Sequence, residues 1–370
     1  GKLRARENGF IALLAPEVQN EGVIFAKKGS VVLASGEMIE LQTDPTQQLI
    51  GVRVIPGKWD ALVENKKVIE AENGMVVLSA QAERSLFQGL VKNSGVVQAQ
   101  GIQESGGRII LTSGLGGEVL IDGEIDASSE FGQGGQVKIE GDKIELAENT
   151  VIDVTGNSGG GNVLVGGDWQ GGTYEELRVL DTPNEMHQAR EVIMKKNTLI
   201  DASAINEGDG GTVVLWSDIL NTKSTTFVLG EIYAKGGTIA GDGGRVETSG
   251  HFLDINYAKV STFAPYGKTG DWLLDPGHIE ITTVGTNGSH ALPGSITSPT
   301  TKIHPNSISN ALVSNNITLA TGGSNYDLTV TNGFTSSSGR NLTLEASRDI
   351  IVNDSINLGS GQLTLDAGDD

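Results

Sequence analysis

The 370-residue chain has no cysteine. That excludes a disulfide framework, a thiolate metal site and a cysteine nucleophile, so stability must come from burial and backbone pairing. Proline is scarce at 9 residues, and aromatic residues make up only 5%. Basic residues are also few: 26 Lys and Arg against 46 Asp and Glu leave a formal net charge of −20. No Lys/Arg block longer than two residues offsets it locally. A surface of that sign repels phosphate backbones and anionic lipid, which argues against nucleic-acid binding and membrane association. No apolar run approaches the roughly 20 residues of a membrane helix, so no membrane insertion is expected. The opening GKLRARENGF lacks the apolar centre of a signal peptide. Gly1 in place of Met leads us to expect a fragment or processed product, for which a missing signal does not indicate the cytoplasm.

Glycine is abundant, with 52 residues, and it recurs in pairs ahead of short aliphatic runs. GGRIIL (106–111), GGQVKI (134–139), GGNVLV (160–165), GGTVVL (210–215) and GGRVET (243–248) are in register. The second and fourth residues after each pair are Ile109 and Leu111, Val137 and Ile139, Val163 and Val165, Val213 and Leu215, Val246 and Thr248. The first and third positions are mostly polar, with Ile110, Leu164 and Val214 as exceptions. A period of two sends alternate side chains to opposite faces, one inside and one outside.

A second module, EIDAS (124–128), VIDVT (151–155), LIDAS (199–203) and EIYAK (231–235), precedes most of the pairs. Short strands at intervals of roughly 20 to 35 residues, without intervening helices, fit a solenoid whose coils pair with one another. The all-β alternative is a sandwich, which has no need of the same Gly-Gly corner so often. The glycine pairs are expected to supply positive φ at each corner. The resulting organisation is a β-helix end at 1–40, an extra-helical hairpin at 41–67 and a core at 68–275. An irregular coil or linker is expected at 276–300 and further repeats at 301–370. Residues 173–191 carry helix-favouring residues and read as an excursion.

GGGNVLVGGDWQGG (159–172), GDGGTVVLWSD (208–218), GDGGRVETSG (241–250) and GKTGDWLLDP (267–276), in that order, resemble the filamentous-haemagglutinin-like exoproteins of bacterial two-partner secretion. GFIALLAPEVQNEGVIFAKKGSVVLASG (9–36) resembles the later part of that family's secretion domain. The resemblance implies a right-handed parallel β-helix and export through an outer-membrane pore partner. It also implies a secreted or surface-exposed adhesin meeting a glycan or protein on a host or neighbouring cell. It supplies no catalytic residue. The Asn-Pro-Asn motifs that mark the start of the family's secretion domain are absent, so the true amino terminus is expected upstream.

Several residues carry candidate chemistry. Asp126, Asp153 and Asp201 share one position of the second module and are candidate calcium ligands. The plainer reading is that each accepts backbone N–H bonds at its corner; Asp209 and Asp242, inside GDGG, carry the same two readings. Trp169, Trp216 and Trp272 are candidate sugar-stacking surfaces or, more simply, caps over corners. A carbohydrate-active enzyme on the same scaffold would need converging carboxylates, for which Asp168, Asp218 and Asp271 are the candidates. The five histidines are scattered, without pairing at short spacing, and suggest neither metal nor triad. Sequons at Asn287, Asn316, Asn341 and Asn353 are no more than a Ser/Thr/Asn-rich tail generates by chance. The expectation is therefore a non-enzymatic structural segment of an exported fibre, without an organic cofactor. The alternatives are a polysaccharide lyase or hydrolase and the stalk of a toxin-delivery protein.

Overall fold

The computed structural model describes residues 1–83, 87–101, 106–172, 186–255, 257–284 and 300–368. The chain winds as a parallel β-helix, each full turn visiting three walls in the same order. Among the described residues the long wall has twelve strands, from Phe10–Leu14 to Leu363–Ala367. A second wall has eight, Glu17–Asn20 to Phe252–Asp254, and a third has nine, Lys2–Arg4 to Lys259–Ser261.

The register follows the repeat. Ile109 pairs with Val137, Val137 with Val163, Val163 with Val213 and Val213 with Val246. These side chains point inward and are essentially inaccessible, as are Ile125, Ile152, Ile200 and Ile232 on the nine-strand wall. Each aliphatic side chain so buried contributes on the order of 1.5–3 kcal/mol. Each coil also covers the hydrogen-bonding edge of its neighbour, which an isolated strand would leave open.

The glycine pairs do different work from that expected. Their φ angles are not in the left-handed region; what they need is room. A Cβ on Gly107 would lie 2.2 Å from Gly74 O, on Gly135 2.2 Å from Gly107 O, and on Gly211 1.8 Å from Gly161 O. Consecutive coils thus approach backbone to backbone at this corner, closer than any side chain permits. Positive φ falls instead on the glycine that opens each GDGG, Gly208 at 93° and Gly241 at 119°.

The outer face of the long wall is covered in two places, which explains its apolar exceptions. An antiparallel hairpin, Met38–Thr43 with Leu49–Ile55, lays Ile39, Leu41, Val52 and Val54 over Val32 and Val77. The hairpin thus begins and ends earlier than the 41–67 read from sequence. Ala61–Asn65 belongs to the eight-strand wall, its burial alternating like that of its neighbours. Further along, a strap formed by the 3-10 turn Trp169–Gly172 and residues 186–190 covers Leu164 and Val214, with Trp169 and Met186 packed against them. Most of the helix-favouring excursion, residues 173–185, lies outside the described residues.

Beyond Asp275 the winding becomes irregular. Ile279–Ile281 pairs with Leu328–Val330 on one side and with Thr301–Ile303 on the other. Leu253 N–H donates to Thr301 Oγ1 at 3.0 Å, so the later strand is inserted against the end of the eight-strand wall. A helix, Pro305–Ala311, then packs between Lys259–Ser261 and Phe334–Thr335, where the nine-strand wall would have continued. The expectation of repeats alone in 301–370 missed this helix. Its start signal is local: His304 Nδ1 accepts from Asn306 N–H, and Pro305 occupies the first turn.

Candidate functional surfaces

Asp126, Asp153 and Asp201 stand directly above one another in the nine-strand wall. Each turns Oδ1 back on its own corner, accepting the N–H of Ser128, Thr155 and Ser203 at 2.9, 2.8 and 2.9 Å. The hydroxyls of Ser128 and Thr155 add bonds of 2.7 Å to the same oxygens. Burial pushes the Asp153 carboxyl above its usual range, and the charges of Asp126 and Asp201 push the same way. Among the described residues, no group of three or more His, Asp or Glu side chains is placed to hold a metal ion. Asp209 and Asp242 likewise tie coils together, Asp209 Oδ1 accepting from Asp242 N–H and Asp242 Oδ1 from Lys268 N–H, both at 2.7 Å.

Two of the three candidate sugar-stacking tryptophans are unavailable. Trp272 points into the core, 2% exposed, its Nε1 donating to Thr248 Oγ1 at 3.0 Å. Trp216 lies under the strap, 1% exposed, donating to Gln188 Oε1 at 3.1 Å. Trp169 is half-buried, with the Arg245 guanidinium 4.5 Å from its ring centre. Inward and outward positions alternate one residue apart, so the tryptophans' places in similar motifs did not reveal their faces.

The carboxylates proposed for catalysis lie at two ends of the long wall. Asp168 is buried and caps Trp169 N–H at 2.7 Å, and Asp218 caps Leu220 N–H at 3.0 Å, both beyond the C-terminal end of a long-wall strand. Asp271 opens its strand at the opposite end.

The strongest electrostatic feature was not legible as a motif. Glu247 faces outward from the long wall yet is wholly buried beneath the strap, and burial pushes its carboxyl up to about 8. Gln170 N–H donates to its Oε2 at 2.8 Å and Ser249 Oγ to its Oε1 at 3.0 Å. Asp275, on the next coil, is pushed up to about 7 by burial and by Glu345, and its Oδ1 is buried without a hydrogen-bond partner.

Two further clusters join residues far apart in sequence. His251 and His278 both meet Tyr326 edge-on, with ring centres 5.7 and 4.8 Å away. Their Nδ1 atoms are engaged by Ile219 O and Asp327 N–H, a structural arrangement rather than a metal site. Asn20, Asn65 and Asn93 form a buried ladder, each Nδ2 donating to the next Oδ1 at 2.8 Å. The signal available in sequence was an Asn ending each of three strands, EVQN, ALVEN and GLVKN.

No protein-family model matches the chain, and no curated protein does. Among solved structures, the chain is similar to the secretion domain of HMW1 from Haemophilus influenzae. The TM-score is 0.58 and the identity 28%, over 74% of this chain and 65% of that one. The chain therefore spans just under two thirds of that domain. At this identity the likeness supports the β-helix and a relation to secretion domains. Among the described residues no helix is long and apolar enough to cross a membrane.

Proposed function

We propose that this chain is a structural, non-enzymatic segment of a secreted bacterial exoprotein of two-partner secretion. It passes through an outer-membrane pore partner and then serves as a rigid, surface-exposed stalk with adhesive faces for a glycan or protein on a host or neighbouring cell. The observation that carries this reading is the likeness to a secretion domain, joined to parallel register that persists along the long wall from Phe10–Leu14 to Leu363–Ala367. A solenoid suits such a route. Its coils fold one upon another, each edge a template for the next, so an unfolded chain can thread a pore and gain its free energy outside. Freedom from cysteine suits it too, since no crosslink can form before passage. The place of Asp271 at the opposite end of the long wall from Asp168 and Asp218 supports the non-enzymatic part.

The test is export. The full polypeptide containing this chain is expressed in a Gram-negative host with and without a two-partner secretion pore protein from the same source, and surface and medium are probed by antibody and by external protease. Pore-dependent appearance outside the cell is the expected result. Export independent of any pore protein, or release of reducing ends from a polysaccharide panel by the purified chain, would contradict the proposal.

A further inference from the structure

One column on the outer face of the long wall is apolar except for a single acid. Leu164, Val214, Glu247 and Leu273 stand in register on successive coils, and all four are buried. Glu247 therefore has an aliphatic neighbour on the coil before it and another on the coil after. Arg245, on its own strand, stacks on Trp169 and donates from Nε to Thr212 Oγ1 at 3.2 Å, so it acts on Glu247 only from a distance. Asp275 on the next coil opposes ionisation of Glu247, and Asp168 on the strap acts on Arg245. The strap's other leg carries His187 and Arg190, which lie against Glu140 and Asp142 instead.

The turn Trp169–Gly172 lies over this column on slender attachments. Gln170 N–H donates to Glu247 Oε2 at 2.8 Å, the Arg245 guanidinium meets the Trp169 ring, and Gly171 rests on Trp216, where a Cβ would come within 2.7 Å of Cζ2. Gln170, at φ 49°, holds a left-handed shape that side chains disfavour, so lifting the turn relieves strain. The strand Arg245–Ser249 is held differently: it is paired along both sides, and its Val246 sits in the core. A carboxylate formed at Glu247 must regain water, because a buried charge without an ionic partner is costly. Raising the turn admits water at the loss of one hydrogen bond to Glu247, whereas unwinding the coil breaks two strand pairings. The local opening is the cheaper response.

We propose that Glu247 is the latch of a pH-sensitive cover: when it ionises, the turn Trp169–Gly172 lifts from the long wall and opens the cover over Leu164, Val214 and Trp216, while the coils stay wound. Burial holds the carboxyl at about 8 in the closed state, against an ordinary 4.5 once water reaches it. The raised value belongs to the closed state, so closure is fully supported below about pH 4.5 and weakens as pH rises through 8. Between pH 6 and 9 the opening equilibrium rises on the order of a hundredfold.

The purified 370-residue chain is followed by hydrogen exchange with mass spectrometry between pH 6 and 9, with labelling times scaled to the intrinsic exchange rate at each pH. Two segments are compared: the turn, whose Gln170 amide donates to Glu247, and the strand Arg245–Ser249 that carries Glu247. The expected result is that protection of the turn falls on the order of a hundredfold while that of the strand is unchanged. In Glu247→Gln, which keeps an acceptor but cannot ionise, protection of the turn is expected to stay constant with pH. Loss of protection in both segments together, constant protection of the turn in the unaltered chain, or the same fall in Glu247→Gln would overturn the latch. Should Glu247→Gln fail to fold, the contrast between turn and strand in the unaltered chain decides alone.

Discussion

The backbone N–H of Gln170 donates to the buried carboxyl of Glu247 across 77 residues of sequence, at 2.8 Å. This bond joins the strap to the long wall two coils away from the strap's origin, since the strand holding Val163 pairs with that of Val213 and that with Val246. The strap's turn is held in an uncommon backbone shape, Gln170 at φ 49° and ψ 39°. Such a residue persists only where surrounding contacts over-determine it.

A pH dependence follows from the same carboxyl. Folding raises Glu247 to about 8 and Asp275 to about 7, above their ordinary 4.5 and 3.8. Between those limits the folded state binds more protons than the unfolded one, so stability is full below about pH 4 on this account and falls as pH rises through 7 and 8. The loss by pH 9 is on the order of a few kcal/mol for each of the two groups. Urea unfolding between pH 5 and 9 measures it, and Glu247→Gln, which keeps an acceptor for Gln170, is expected to flatten the slope. A slope unchanged in that variant would assign the dependence elsewhere.

The corner glycines allow a sharp comparison. Alanine at 211 would place Cβ 1.8 Å from Gly161 O, so Gly211→Ala is expected to destabilise by several kcal/mol and to raise hydrogen exchange in the coils on both sides. Gly211→Asn discriminates the causes. Asparagine tolerates left-handed backbone, so it would be accepted if conformation were the requirement; close approach predicts that it fails as badly as alanine.

Asn65 is buried between Asn20 and Asn93. Asn65→Leu leaves donors and acceptors unpaired on both neighbours, and a loss of about 2–4 kcal/mol is expected in the cooperative unfolding of the first coils, measured by urea titration with exchange mass spectrometry. A loss below about 0.5 kcal/mol would mean the ladder is incidental.

For the aspartate column, corner capping predicts that millimolar calcium or a chelator leaves the melting temperature unchanged. A rise of several degrees with calcium, abolished by Asp153→Asn, would instead assign those carboxylates to a cation.

The coil was legible in sequence because it is a local pattern repeated: Ile109, Val137, Val163, Val213 and Val246 face inward at a period of two, and a glycine pair marks each corner. What covers the wall from outside was not. Leu164 and Val214 broke the polar pattern, but nothing nearby named the strap that covers them, and Glu247 reads as an ordinary exposed acid until the strap lies over it. The reason for the glycines was misread for a related cause. Sequence reports that a side chain is absent, and only the neighbouring coil shows whether φ or space requires it.

The cysteine-free chain permits one direct test of the stacked coils. Arg108 and Asp271 are exposed, 163 residues apart and joined in register through Gln136, Asn162, Thr212 and Arg245. Five coil steps of about 4.8 Å separate them by about 24 Å. Spin labels on cysteines at 108 and 271 should give one narrow distance near that value, broadened only by the label tethers. A distance beyond about 40 Å, or a broad distribution without a peak, would contradict the solenoid and the account built on it.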